Sequence, residues 1–572
     1  MPRIVNAPRN APTWVAALLT ALLLGACGGG DSSGAGPATP PAGGSPPGPA
    51  PDPGPSQQDL EVASLLVSRA TFGGDLALIE AVAEQGTDAW LDAQFSEPPS
   101  LHLPIVERYI DELGAAPGAD PEPGLYRRFA LFERYMTAPD QLRQRVASAL
   151  SQIFVVSDRV DELGADPRAL SSFHDLLLEH AFGNYRDLLR AVTLHPAMGF
   201  YLSHVNNARS DPVANTFPDE NYAREVMQLF SIGLFELAPD GTRRTSADGE
   251  PIPTYDNDDI REFSKIFTGL SFGPEEPGGP SFFGKRDPVL HVPMVMFDDF
   301  HEPGEKRLLN GTVVPAGGTG TEDIEAAIDN LSSHPNVGPF IGRRLIQRLV
   351  TSNPSPAYVQ RVAEAFAGGD GAPRGNLERT VRAVLTDREA QATGPAAGRL
   401  REPFVRYLQL HRALDASTPD GRWPVIGGAV QFLTGQYPLS APSVFNFYLP
   451  DYTPAGAVAD AGRVAPEFQI VTDLTLVGWP NLVAAALFAG AGADVPDGFP
   501  EVSVDPVAFE AIADDSQALI DRIDLIFTHG AMSAPTREAI AAALVPLAGD
   551  PALRARVALY LALISPDYMV DP

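Results

Sequence analysis

Apolar residues recur at helical spacing along most of the chain. Ile260, Phe263, Ile266, Phe267 and Leu270 lie three or four positions apart, which places them on one face of an α-helix. Alternating apolar and polar runs, the pattern of a half-buried strand, are nearly absent. We therefore expect an all-α, large multi-helical globular body. The helices are predicted near residues 56–70, 75–85, 88–95, 125–136, 140–157, 168–182, 184–193, 197–204, 217–237, 256–270, 322–332, 336–351, 355–367, 376–387, 398–415, 467–489, 505–528, 534–547 and 551–564.

A loop-rich insertion, residues 238–321, interrupts this helical pattern. It is rich in Gly, Pro and Asp, which favour turns. Near its end Asn310-Gly311 lies between two short apolar runs, and this dipeptide favours a two-residue β-hairpin turn. We expect a small β-hairpin here. The body is then either one large domain or two closely packed halves that meet near the insertion.

The N-terminal segment has the features of a lipoprotein signal peptide. The apolar run Trp14–Leu24 is too short to span a bilayer as a mature helix. Leu24-Gly25-Ala26-Cys27 then matches the bacterial lipobox, and Cys27 is the only cysteine in the chain. The sequence predicts a signal peptide over residues 1–26 and lipidation of Cys27. The alternative is an ordinary signal peptide that happens to contain a cysteine.

The lipidated cysteine is followed by a tether, residues 27–57. The segment consists almost wholly of Gly, Pro, Ser and Ala, a composition that cannot form a packed core. The folded body is expected over residues 58–572. Because Gly28 and not Asp follows Cys27, we expect an outer-membrane lipoprotein that faces the periplasm or the cell surface. The lipid bilayer is thus a predicted partner.

The charge balance limits the partners further. Lys and Arg number 41 against 72 Asp and Glu, so the formal net charge of the 572 residues is −31. The phosphates of a nucleic acid would repel such a chain. No nucleic acid partner is expected, whereas divalent cations could be attracted.

A polar stripe lies beside the apolar face of the predicted helix within residues 217–237. Asn221, Arg224, Glu225 and Gln228 recur at the spacing i, i+3, i+4, i+7 and so share one helix face. The stripe is either a solvated face with an Arg/Glu pair or a polar network inside the body. In the second case Asn221, Arg224 and Glu225 are candidate catalytic groups, together with His301.

Two acidic clusters are candidate metal sites. Asp298 and His301 belong to the densest run of ligand-type residues, Asp298–Glu302, which can supply metal ligands or acid/base groups or can form a solvated turn. Asp256 and Asp258 precede a predicted helix, and their spacing does not fit an EF-hand. Asp258 is expected to cap that helix. A divalent metal cofactor is left open.

Several longer stretches resemble the bacterial domain-of-unknown-function 1800 family. The resemblance covers residues 58–572 and includes NYAREVMQLFSIGLFEL from Asn221, SRATFG from Ser68 and HPNVGPFIGRRLIQRLV from His334. The run from His301 to Lys306 is similar to a family motif that more often reads His-Asp-x-Gly-x-Lys. The resemblance also implies a partner, because members are often encoded beside exported, alkaline-phosphatase-like proteins of the domain-of-unknown-function 1501 family.

Two classes of function fit these features. The first is an envelope protein that binds or assembles with another exported protein. The second is an extracytoplasmic hydrolase, with or without a metal ion, whose site combines Glu225, Arg224 and Asn221 with His301 and Asp298. The absence of a complete catalytic motif favours the first class. Convergence of these side chains in one cleft would favour the second.

Overall fold

The computed structural model describes residues 54–114, 122–273, 282–283, 289–369, 371–392, 398–425, 428–489 and 501–572. The predicted signal peptide, Cys27 and most of the tether lie outside the described residues. The first described helix begins at Gln57, where Ser56 caps it in a capping box with Asp59.

The predicted fold class is confirmed: the described residues form a mostly helical globular body with small two-stranded sheets only. The helices are α1 Gln57–Ala70, α2 Leu76–Gln85, α3 Thr87–Ser96, α4 Leu103–Leu113, α5 Tyr126–Thr137, α6 Gln141–Ser151, α7 Asp161–Ala165, α8 Pro167–His180, α9 Tyr185–Leu194, α10 Pro196–Tyr201, α11 Asn221–Gln228, α12 Asn257–Ile266, α13 Gly320–Ser333, α14 Val337–Leu349, α15 Pro356–Ala367, α16 Leu377–Thr386, α17 Pro403–Ala413, α18 Gly428–Thr434, α19 Ala457–Asp460, α20 Asp473–Ala484, α21 Val507–Glu510, α22 Ser516–Ile523, α23 Ala534–Leu544, α24 Pro551–Leu563 and α25 Pro566–Met569.

Some predicted helices are shorter than the apolar spacing suggests. Helix α11 starts at Asn221, with Pro218 outside it, and ends at Gln228. It cannot continue through the apolar residues that follow, because Gly233 has a φ of +74°, a left-handed conformation that ends α-helical geometry. Helix α17 starts at Pro403 and not near residue 398, because the residues before it pair as a strand and proline favours the first helical turn.

Three antiparallel sheets of two strands each are present among the described residues. They pair β1 Leu270–Ser271 with β2 Val295–Met296, β3 Lys306–Arg307 with β4 Val313–Val314, and β5 Arg399–Leu400 with β6 Val570–Asp571. The pair β3–β4 is the expected hairpin in the loop-rich insertion.

The hairpin turn differs slightly from the prediction. Asn310 and Gly311 have φ values of 58° and 73°, and the Thr312 N–H donates to Leu309 O at 3.3 Å, as a turn on Asn-Gly requires. Lys306 pairs with Val314, so five residues separate the strands. A connection of only two residues was therefore wrong, although the turn dipeptide was right.

One hydrophobic cluster runs from Ala63 in α1 to Tyr568 in α25. Sheet β5–β6 brings the C-terminal residues into this core. Among the described residues, no helix has the length and apolar character needed to cross a membrane.

The core also contains a buried arginine network, which we define as Arg69, Arg145, Arg399 and Arg401 with the acids Glu402 and Asp571. All six side chains are buried. Arg401 pairs with Asp571 at 3.2 Å, and Arg145 lies 3.7 Å from Glu402. Burial alone would raise the pKa of Asp571, but the charges of Arg401, Arg69 and Arg399 hold it well below its usual value.

Candidate functional site

The candidate site is a cleft of about 690 Å³, hereafter the arginine cleft. Its walls are the end of α11, the loop 233–243, helix α14, the start of α15 and the loop 444–451. Four arginines line it, and three of them belong to α14. They are Arg243, Arg343, Arg344 and Arg348.

Helix α14 has two faces that explain this position. Val337, Ile341, Leu345 and Leu349 are buried in the core and recur every four residues, so they fix the rotation of the helix. Arg343 and Arg344 are half-buried, whereas Gln347 and Arg348 are buried although they are polar. The loops 233–243 and 444–451 enclose the three arginines of α14, which therefore border a cleft and not open solvent.

The cleft arginines have few protein partners. Arg344 donates one long hydrogen bond, 3.4 Å, to Gln347 Oε1. Among the described residues, the guanidinium groups of Arg243, Arg343 and Arg348 make no hydrogen bond and none of the four makes an ion pair. Arg243, Arg344 and Arg348 instead stack over Phe235, Phe340 and Tyr448, with the guanidinium carbon 4.6–5.0 Å from the ring centres.

The arginines of the cleft repel one another. Burial, together with the charges of Arg348 and Arg343, lowers the pKa of Arg344 to about 9, and Asp451 opposes the shift only in part. Burial and the charge of Arg243 also lower the pKa of Arg343. Because like charges are held close together and nearby acids such as Asp451 offset them only in part, an anion in the cleft would relieve the repulsion.

Two glycines allow the loop 233–243 to pack closely on the helices. Gly233 and Gly241 have φ values of 74° and 76°. A Cβ on Gly233 would lie 2.8 Å from the ring of Phe340, and one on Gly241 would lie 2.8 Å from Val359 Cγ1. Both positions therefore require glycine for conformation and for space.

The predicted polar stripe is divided between two environments. Asn221 is exposed, and Arg224 pairs with Glu220 at 3.3 Å and not with Glu225. Glu225 is buried, its Oε2 has no hydrogen-bond partner, and burial raises its pKa against the opposing effect of Arg224. Gln228 alone of the stripe lines the arginine cleft.

His301 lies in a buried cluster with Lys306 and Asp323. Its Nδ1 is 2.9 Å from Thr268 O, and its Nε2 is 2.9 Å from Asp323 Oδ2. Lys306 Nζ donates to the same carboxylate oxygen and to Glu302 O. Because a carbonyl oxygen can only accept, the His301 Nδ1–H donates to Thr268 O. These buried side chains tie the insertion to α13.

The other metal candidates have structural contacts. Asp298 Oδ1 accepts from the Gly320 N–H at the start of α13, at 2.8 Å. Asp256 caps α12 by accepting from the N–H groups of Asp258 and Asp259. The prediction that Asp258 is the cap was wrong, because the capping carboxylate must come from the residue before the first helical turn.

The predicted catalytic residues are not in direct contact with one another. No hydrogen bond or ion pair of the described residues joins Glu225 or Arg224 to His301 or Asp298. Nor do the described residues contain three His, Cys, Asp or Glu side chains arranged to hold a metal ion.

A Ser-His-Asp arrangement in the core is not a hydrolase site. Ser64 Oγ lies 2.7 Å from His529 Nδ1, and His529 Nε2 lies 3.7 Å from Asp571. Ser64 donates its hydrogen to Leu525 O, so it accepts from Nδ1 and cannot be deprotonated by the histidine. All three side chains are buried.

Sequence reasoning did not identify the arginine cleft, although a signal was present. Helix α14 contains three arginines and no acidic residue, in a chain where acids outnumber bases 72 to 41. Paired surface arginines usually have an acid three or four residues away. In an acidic protein, a helix with several arginines and no acid therefore indicates that the partner of these arginines lies outside the helix.

The comparisons with known proteins give a family and no activity. Residues 65–570 match the family described as Protein of unknown function (DUF1800), and the match includes every residue that lines the arginine cleft. No curated protein and no solved structure matches the chain significantly. The chain therefore belongs to the DUF1800 family of proteins of unknown function.

Proposed function

We propose that this protein is an exported, lipid-anchored binding component of the bacterial cell envelope, and that it binds an anionic ligand in the arginine cleft. One observation carries the proposal: three guanidinium groups of α14 face a cleft without an acidic partner within ion-pair distance among the described residues. Arginine is well suited to this role, because its planar fork donates two parallel hydrogen bonds to a carboxylate or phosphate.

A cationic cleft is unexpected on a protein with so large a negative charge. A chain with a formal charge of −31 repels anions over most of its surface. A cationic cleft on such a surface selects ligands by short-range contact more than by long-range steering, because counterions screen charges beyond about 8 Å at physiological salt.

Anion binding is tested with inorganic phosphate and the purified folded body. Phosphate should raise the unfolding midpoint of the wild type, since a ligand that binds only the native state stabilises it by about 2.7 kcal/mol at one hundred times its dissociation constant. Arg344→Gln and Arg343→Gln should each weaken the affinity roughly 10- to 100-fold, because a hydrogen bond to a charged group contributes about 1.5–3 kcal/mol.

Arg307→Gln is the matched control. Arg307 lies outside the cleft with 78% of its side chain exposed, so its loss should leave phosphate binding unchanged. An equal effect of all three substitutions, or no phosphate effect on the wild type, would overturn the proposed anion site.

The lipid anchor rests on Leu24-Gly25-Ala26-Cys27 and the Gly- and Pro-rich segment after it. Wild-type protein should be labelled by a radioactive fatty acid and fractionate with membranes. The Cys27→Ser variant should carry no label and should be recovered in the soluble fraction without detergent. Identical fractionation of both proteins would contradict the anchor.

A binding partner is proposed from the family resemblance, namely an exported protein of the domain-of-unknown-function 1501 family. Affinity purification from membranes, with and without that protein, tests the pairing. Recovery of the tethered protein alone in both cases would count against it.

A further inference from the structure

The arginine cleft is not lined by charge alone. Three of its lining residues are large apolar side chains that stay exposed: Leu234 at 48%, Phe445 at 45% and Leu449 at 40%. Single exposed apolar residues are common, but several around one cleft mark a surface that a ligand covers. Phe235 and Phe340 add aromatic surface to the same lining.

The charges of the lining suggest the charge of the ligand. Four arginines stand against two acids, Asp240 and Asp451. Asp240 Oδ1 accepts from the Thr242 N–H at 2.9 Å and from the Thr242 hydroxyl at 2.6 Å, so this carboxylate is directed at its own turn. With both acids counted, the lining carries an excess of two positive charges, which a ligand with two negative charges would balance.

The size of the cleft limits the ligand to a small molecule. A volume of about 690 Å³ lies within the range of sites that hold cofactor- or drug-sized ligands, which combine apolar walls with a few well-placed polar groups. Inorganic phosphate would leave most of the apolar wall in contact with water.

We propose that the ligand of the arginine cleft is an amphiphilic organic anion, with a doubly charged group held by Arg343, Arg344 and Arg348 and an apolar or aromatic body on Leu234, Phe445 and Leu449. This inference rests on the proposed anion binding and names its ligand class. A phosphate monoester and a dicarboxylate share the required chemistry.

The test compares phenyl phosphate, isophthalate, inorganic phosphate and phenol by titration calorimetry on the folded body. Phenyl phosphate or isophthalate should bind at least about tenfold more tightly than inorganic phosphate, because the ring removes apolar surface from water. Phenol, which lacks the charge, should not bind measurably. Tighter binding of phenyl phosphate than of isophthalate would indicate a phosphate ester, and the reverse order would indicate a dicarboxylate.

Variants separate the two parts of the ligand. Phe445→Ser should weaken phenyl phosphate several-fold and leave inorganic phosphate unchanged, whereas Arg344→Gln should weaken both. The matched control is Phe432→Ser, at a residue 66% exposed outside the cleft lining, which should change neither affinity.

The outcomes distinguish this inference from the proposed function. If inorganic phosphate binds as tightly as phenyl phosphate and isophthalate, and Arg344→Gln weakens it, the anion site stands and the amphiphilic ligand is wrong. If none of the anions binds the wild type, both are wrong. If phenol binds as tightly as phenyl phosphate, the cleft binds the apolar ring alone, and the inference that the ligand must be an anion is wrong.

Discussion

The protein uses arginine in two opposite ways, in the buried arginine network and in the arginine cleft. In the network each of the four guanidinium groups donates to a protein acceptor; Arg401, for example, donates to Gln409 Oε1 at 2.9 Å and to Asp571 at 3.2 Å. In the cleft three of the four guanidinium groups stack on aromatic rings, and all four leave nearly all their donors unused. The first set completes the fold, whereas the second is proposed to bind a ligand.

Arg348 joins the two regions. Its carbonyl oxygen, near the end of α14, accepts from Arg145 at 3.0 Å and from Arg399 at 2.5 Å. These two network arginines also sit at the negative end of the helix, where positive charge is favourable. The Arg348 side chain meanwhile lines the cleft. The buried arginine network therefore holds helix α14 in place. This fixes the position of the cleft arginines, which the proposed binding of an anion requires.

The largest effect is expected from Asp571→Asn. Asp571 is fully buried between Arg399 and Arg401, and removal of one partner leaves buried charge uncompensated. The free energy of unfolding should fall by about 3–5 kcal/mol, measured by urea denaturation. Asp258→Asn is the control, because its ion pair with Arg261 is exposed and should contribute about 1 kcal/mol or less. Equal losses would mean that the network is not structural.

A smaller, pH-dependent effect is expected from Glu467→Gln. Burial raises the pKa of Glu467 to about 7 against the opposing charges of Arg399 and Arg348. The native state therefore binds more protons than the unfolded state between about pH 4.5 and pH 7, and this residue's contribution to stability falls as the pH rises through that window. At pH 8 the variant should be about 2–3 kcal/mol more stable than wild type, and at pH 4.5 the difference should vanish.

Glu402→Gln is the matched control for that experiment. Burial alone would raise the pKa of Glu402, but Arg145 and Arg399 lower it below its usual value. Its contribution is therefore present at neutral pH and lost as the pH falls through the lowered pKa. The variant should be less stable than wild type at pH 8. The same sign for both variants would contradict the assigned charge states.

The smallest change in stability is expected from Arg344→Gln without any anion. Arg344 makes no ion pair among the described residues, and Asp451 offsets the charges of Arg343 and Arg348 only in part, so its loss should change the free energy of unfolding by about 1 kcal/mol or less, in either direction. Arg401→Gln, in the network, should cost several times more. If the two substitutions destabilise the protein equally, the cleft arginines are structural and the comparison between the regions fails.

Apolar spacing was sufficient to predict most helices and insufficient for the strands. Helices α14 and α15 fall within two residues of their predicted bounds, because a buried face repeats through their whole length. Strands β5 and β6 contain two residues each, too few for an alternating pattern, and their pairing joins segments about 170 residues apart. Such contacts depend on tertiary packing that a local pattern does not contain.

The candidate site was harder to predict than the fold. Glu225 and His301 were selected for residue type, and each lies in a separate environment: Glu225 beside Arg224, and His301 between Thr268 and Asp323. The sequence does not indicate Asp323 as the partner of His301, because 22 residues separate them. The arginines of α14 line a cleft only because two loops that are distant in sequence enclose this helix.

The position of Asp571 has a consequence for biosynthesis. The acid that neutralises Arg399 and Arg401 belongs to strand β6, about 170 residues further along the chain. These interior charges therefore stay uncompensated during synthesis until residue 571 has left the ribosome. A truncated product that ends before residue 571 keeps uncompensated guanidinium groups in its core and remains a good substrate for proteases.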